Sequence, residues 1–146
     1  ESDPNAADDI LVKELHLPVG RKVNFMMRSQ DVLHSAYMPH FRAQMNCVPG
    51  MITQFSFTPT ITTEEMRRNP DVVEKVKRTN AIRAKRAAEG QPNSEPWEFD
   101  YVLLCNKICG KSHYNMQMKI IVETEEEYNK WIAEQATFKE TLAPAE

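Results

Sequence analysis

The chain has 146 residues, long enough for one domain with a real hydrophobic core. Its 18 Lys and Arg against 21 Asp and Glu leave a net charge of −3, a balance that calls for neither nucleic acid nor an anionic membrane as partner. No apolar run approaches the ~20 residues that a membrane-spanning helix needs, and no signal-peptide pattern opens the chain. Three cysteines are too few for a disulfide framework, and the close pair Cys105 and Cys109 suits metal or redox chemistry better.

Residues 1–9 are polar and read as a linker, of a processed form or of a fragment of something longer. From there to residue 58 the apolar positions alternate as in half-buried strands. Leu15, Leu17 and Val19 share one parity, and Val23, Phe25 and Met27 share another beyond Gly20. Val32 to Met38 reads as a further strand, Phe41, Ala43 and Met45 alternate again, and Gln54 to Thr58 carries two aromatics in period two. Breaks at Pro18, Gly20, Pro39, Pro49-Gly50 and Pro59 predict an antiparallel sandwich or barrel. Thr62 with Glu65 has the capping-box spacing and predicts a helical turn over Thr63 to Arg68. Asn69, Pro70 and Gly90 bracket a second helix, weakly apolar and basic: residues 64–89 hold eight Lys or Arg against five Asp or Glu. It reads as a solvated insertion or as a docking surface for a neighbouring protein. Phe99 to Leu104 and Met118 to Val122 read as strands. Thr124 with Glu127 repeats the capping box and opens an amphipathic helix that packs Tyr128 and Trp131 onto the sandwich. The organisation expected is a domain over residues 10–136, with a helical insertion and loop at 62–96 and a frayed tail at 137–146.

Between the last two strands lies Cys105-Asn-Lys-Ile-Cys109-Gly-Lys-Ser-His113-Tyr-Asn-Met116. Thiolate and thioether are soft donors that favour Cu(I), and imidazole suits both oxidation states, so the set fits copper that cycles. A single blue copper needs one Cys, and here there are two, enough to bridge two copper ions. A structural zinc site is the main rival, since two Cys and two His close a tetrahedron, but it leaves Met116 idle. A thiol redox pair is disfavoured because the spacing is not Cys-x-x-Cys. A second imidazole has to come from elsewhere. His34 ends a strand in Asp31-Val-Leu-His34-Ser-Ala-Tyr-Met-Pro39 and is a better candidate than His16 or His40. Cys47, beside Pro49 and Gly50, reads as a buried small hydrophobe.

Asp31 to Pro39, Val48-Pro49-Gly50 and the Cys-x3-Cys-x3-His-x2-Met loop, in that order, resemble the copper-binding domain of cytochrome c oxidase subunit II in its bacterial form. The resemblance runs from about residue 10 to residue 135 and implies an all-β, cupredoxin-like Greek-key fold. It also implies a dinuclear copper centre bridged by Cys105 and Cys109. His34 and Met116 would serve one ion, His113 and the carbonyl of Lys107 the other. A cytochrome c would be the donor, haem of subunit I the acceptor, and the periplasmic face of the membrane the location. The anchoring helices of the family are not in this sequence. A similar ligand loop occurs in nitrous oxide reductase, the alternative within copper chemistry; a zinc-stapled interaction domain is the alternative outside it. Three departures stand out. Lys107 replaces the Glu that helps hold magnesium in the family, and an ammonium cannot ligate a cation, so that site is in doubt. Asn46 and Met51 replace a charged pair that contacts the partner subunit.

Overall fold

The computed structural model describes residues 4–142, so the first three residues of the expected linker and the last four of the expected tail lie outside it. The described residues form seven strands: β1 Glu14–Pro18, β2 Val23–Met27, β3 His34–Met38, β4 Ala43–Cys47, β5 Thr53–Phe57, β6 Tyr101–Leu104 and β7 Gln117–Glu123. Five of them make one sheet in the order β1-β7-β6-β3-β4, and β2 pairs with β5 in a second. The alternation seen in sequence is the burial pattern of β2, β4 and β5, where every second side chain turns inward. Phe25 stacks on Phe55 and Phe57 in the small sheet, at 5.2 and 5.5 Å between centroids. Phe41 bridges the layers, 4.8 Å from Phe57 and 4.6 Å from Tyr101. Leu17, Met38, Phe99, Tyr101, Ile120 and Val122 form the buried centre. Each side chain so buried contributes on the order of 1.5–3 kcal/mol before entropy is set against it.

The arrangement is a sandwich whose two sheets do not close into a barrel. It also departs from the antiparallel expectation at one edge, where β1 runs parallel to β7 with Leu15 opposite Ile120 and Leu17 opposite Val122. Alternation fixes which face of a strand is buried but not the direction of its neighbour, so this was not legible. Two strands begin later than expected. The segment before β3 is a turn in which Ser29 Oγ donates to the carbonyl of Val32. Ahead of β6, the Phe99 carbonyl and the Asp100 carboxylate turn toward Arg67.

Four α-helices, besides three short 3-10 turns, complete the described residues: α1 Thr63–Arg67, α2 Pro70–Ala88, α3 Glu125–Ala133 and α4 Phe138–Thr141. Both expected capping boxes form, at Thr62–Glu65 and Thr124–Glu127. Asn69 caps α2 by accepting from the Asp71 N–H. Within α2, Val72 and Val76 reach the core while no residue is fully buried. Asn80 clasps the backbone of Trp97 in both directions, at 3.0 and 2.7 Å, and Lys75 lies 5.7 Å above its ring. Trp131 of α3 stacks on His16 at 4.2 Å, and His16 in turn meets Glu123 at 2.8 Å. The segment expected to fray instead carries a third capping box, Thr137–Glu140, and Thr137 bridges back to Ile10. Among the described residues no helix is long and apolar enough to cross a membrane.

Candidate metal centre

The inner face of the large sheet continues out of the core into the candidate site. On β3 it runs Met38, Ala36, His34. Beyond β6 it runs Tyr101, Leu103, Cys105, and back along β7 it runs Val122, Ile120, Met118 toward Met116. Period two therefore delivers an imidazole, a thiol and a thioether to one end of the sandwich. The ligand loop is closed at its base, where the Cys105 N–H donates to the Met116 carbonyl at 3.0 Å. It turns at Gly110, whose φ of +132° disfavours any side chain, and then takes a short 3-10 turn over His113–Asn115.

All six residues singled out from the sequence meet there. Cys105 Sγ lies 3.7 Å from Cys109 Sγ, 4.0 Å from His34 Nδ1 and 3.3 Å from the Lys107 carbonyl oxygen. Cys109 Sγ lies 3.5 Å from both His113 Nδ1 and Met116 Sδ. The donor atoms of His34, Cys105 and Cys109 all fall within 4.8 Å of one another. These contacts gather Met116 and His113 about Cys109, and His34 and the Lys107 carbonyl about Cys105; they do not by themselves divide the donors between two ions. Lys107 itself is exposed.

Electrostatics prepare the thiols differently. Partial burial works against ionisation of Cys105, but the backbone at Lys107 and Ser35 with the imidazoles of His34 and His113 together bring it down to about 6. Desolvation, and then the neighbouring Cys105, push Cys109 up. Asp31 Oδ1 takes a hydrogen bond from His34 Nε2 at 2.8 Å and raises the imidazole's proton affinity. With Nε2 protonated in the neutral ring, Nδ1 is left as the free donor facing sulfur. In the sequence Asp31 stands only within the Asp31 to Pro39 segment, with no role of its own. Its spacing of three before His34, in a turn, was the available signal.

The remaining candidates sit elsewhere. His16 belongs to the α3 contact. His40 packs edge-on against Phe99 and Tyr101, at 5.1 and 5.7 Å, where burial and then Lys75 push its pKa down. Cys47 is half-buried rather than buried, directly across the β3–β4 ladder from His34, and burial pushes its thiol up. The donor chemistry fits copper: two thiols, two imidazoles and a thioether converge, and the thioether has no part in a zinc tetrahedron.

Residues 7–65 match the profile of the family described as cytochrome c oxidase subunit II, periplasmic domain. The alternative cytochrome c oxidase subunit 2 of Bradyrhizobium diazoefficiens is 36% identical over 138 residues, 93% of this chain and 37% of that protein. Cytochrome c oxidase subunit 2 of Thermostichus vulcanus is 26% identical over 123 residues, 84% of this chain and 26% of that protein. The chain thus spans well under half the length of these relatives. Among solved structures, the periplasmic domain of subunit II of cytochrome oxidase (CoxB) of Bradyrhizobium japonicum superposes with a TM-score of 0.55 at 18% identity, covering 82% of this chain and 61% of that one. A second structure, a mixed disulfide between a thioredoxin-like protein and such a domain, gives 0.51 at 18% identity, covering 82% and 63%. The fold is cupredoxin-like, with a His/Cys cluster suited to copper at one end. The chain is thus similar to the periplasmic domain of cytochrome c oxidase subunit II.

Proposed function

We propose that this domain is the electron relay of a haem-copper terminal oxidase, taking electrons from a cytochrome c and passing them to haem in subunit I, where oxygen is reduced. The observation that carries the reading is the pair of thiols 3.7 Å apart, each with an imidazole and one further donor within 4.0 Å. Cys105 and Cys109 would bridge two copper ions, with His34, His113, Met116 and the carbonyl of Lys107 completing the set. A copper pair so held supplies one-electron transfer with little change in bonding.

The chain's own residues provide the setting. Cys105 is ready as a thiolate at neutral pH, Asp31 fixes the ring of His34, and the hydrogen bond between Cys105 and Met116 holds the loop ends together. Ile108 and Tyr114, 94% and 89% exposed, surround the site and bring it close to any docked partner. At position 107 an ammonium stands where magnesium would need a carboxylate, so magnesium is not part of this proposal. Asn46 and Met51, both exposed, give the partner-facing turn polar and apolar contacts in place of charged ones. The proposed location is the periplasmic face of the bacterial inner membrane, with anchoring by segments outside this sequence. The basic helix α2 is proposed to dock a neighbouring subunit, on the strength of its exposed Lys77, Arg78, Lys85 and Arg86.

The test is reconstitution with copper. A purple protein whose electron paramagnetic resonance shows hyperfine coupling to two equivalent coppers is expected. A colourless protein holding one zinc ion would overturn the reading in favour of a structural module. Nitrous oxide reductase, which shares the loop type, is separated by the sequence context of the full protein: membrane helices favour the oxidase, a β-propeller the reductase.

A further inference from the structure

Beneath the ligand end, between the two sheets, lies an open cavity of about 430 Å³. One wall carries His34, Cys105 and Met116 of the centre. The rest holds three sulfur side chains that the centre does not use: Cys47 from β4, Met27 from β2 and Met118 from β7. Their placement follows from strand parity. Cys47 is the cross-strand partner of His34, Met27 continues the inward row of Val23 and Phe25, and Met118 continues that of Ile120. Ala36, Leu103 and Leu104 supply apolar surface between them. No Asp or Glu lines the cavity, and exposed Arg28 is its one Lys or Arg.

This lining selects by softness. Hard cations find no carboxylate, whereas thiolate and thioether are the preferred donors of Cu(I). We infer that the cavity is a receiving site for Cu(I), in which the Cys47 sulfur and the thioethers of Met27 and Met118 hold one ion on its way to the centre. Binding releases the Cys47 thiol proton to solvent, one per ion, with no change of oxidation state. Because Cys105, Met116 and His34 face the same space, the ion passes on by exchanging one sulfur ligand for another. The inference rests on the copper reading of the ligand loop.

The test is an anaerobic Cu(I) titration of the reduced chain against a chromophoric competitor, bicinchoninate, with circular dichroism confirming the fold of every variant. Replacing both loop thiols (Cys105→Ser, Cys109→Ser) is expected to leave one Cu(I) bound per chain. In that variant the metal is expected to protect Cys47 from alkylation, and adding Cys47→Ser or Cys47→Ala is expected to abolish the remaining equivalent. In the otherwise native chain, Cys47→Ser is expected to slow the appearance of the centre's absorption while leaving its final intensity unchanged. A double variant that binds no Cu(I), beside a native chain that loads normally, overturns the receiving site and leaves the centre standing. Retention of the ion after loss of Cys47 overturns it too. A native chain that takes zinc and no copper removes both readings.

Discussion

At the scale of single residues, the two loop thiols differ in a way that chemistry reads directly. Cys105 is brought down to about 6 while Cys109 and Cys47 are pushed above the ordinary thiol range. A depressed thiol pKa means that the thiolate persists above about 6 and is lost as pH falls through it. In the metal-free, reduced chain, iodoacetamide is therefore expected to modify Cys105 first, with a rate that rises through a midpoint near 6. Peptide mapping that finds Cys109 labelled faster at pH 7 would count against this. Met116→Leu tests the thioether. Copper content is expected to persist with an altered absorption spectrum and potential, whereas a zinc-binding chain would lose nothing. Asp31→Asn keeps a hydrogen-bonding side chain while removing the charge that raises His34, so the apparent pKa of that imidazole, followed by NMR in the metal-free chain, is expected to fall. The ligand types were legible because soft donors at short spacing have few other uses. The environment of each was not, since Asp31, Ser35 and the Lys107 carbonyl act on Cys105 and His34 through distances that spacing does not encode.

At the scale of elements, the joints are polar and few. Thr63, 3% exposed, accepts the Val122 N–H at 2.8 Å and so ties α1 to strand β7. Thr63→Val keeps the shape and orphans that N–H, which is expected to cost about 1–3 kcal/mol in chemical denaturation. Thr124→Ala removes the cap of α3 and is expected to cost about 1 kcal/mol. A loss from Thr63→Val no larger than the capping loss would mean that the buried N–H finds another partner. These caps were readable because a Thr with a Glu three residues on satisfies two helix-end donors at once. The same spacing at Thr137 and Glu140 makes a capped turn where the sequence reads as a frayed tail. The clasp of Asn80 on Trp97 was invisible in sequence, as was the reach of Arg67 to Phe99, Glu98 and Asp100. Both join segments separated by a loop whose path nothing in the pattern dictates.

At the scale of the whole molecule, one face of one sheet is both core and site. Ile120, fully buried, sits two residues along β7 from Met118 and four from Met116. Ile120→Ala is expected to destabilise the fold by about 2–5 kcal/mol. Because β6 and β7 hold the two ends of the ligand loop, the variant is also expected to lose bound metal at a lower temperature than the native domain, seen as earlier bleaching in a thermal melt. The sandwich class was legible from alternation and turn residues; the parallel edge and the open sheets were not, because pairing direction leaves no mark on side-chain period. That parallel edge has a consequence for biosynthesis. Strand β7, in contact with both β1 and β6, leaves the ribosome about a hundred residues after β1, its parallel partner. Such a non-local ladder closes late. His34 is made early, yet Cys105, Cys109 and Met116 flank or precede the strand that completes the sheet. A nascent chain thus offers a passing metal ion only His34 of the donor set until the loop between β6 and β7 has emerged.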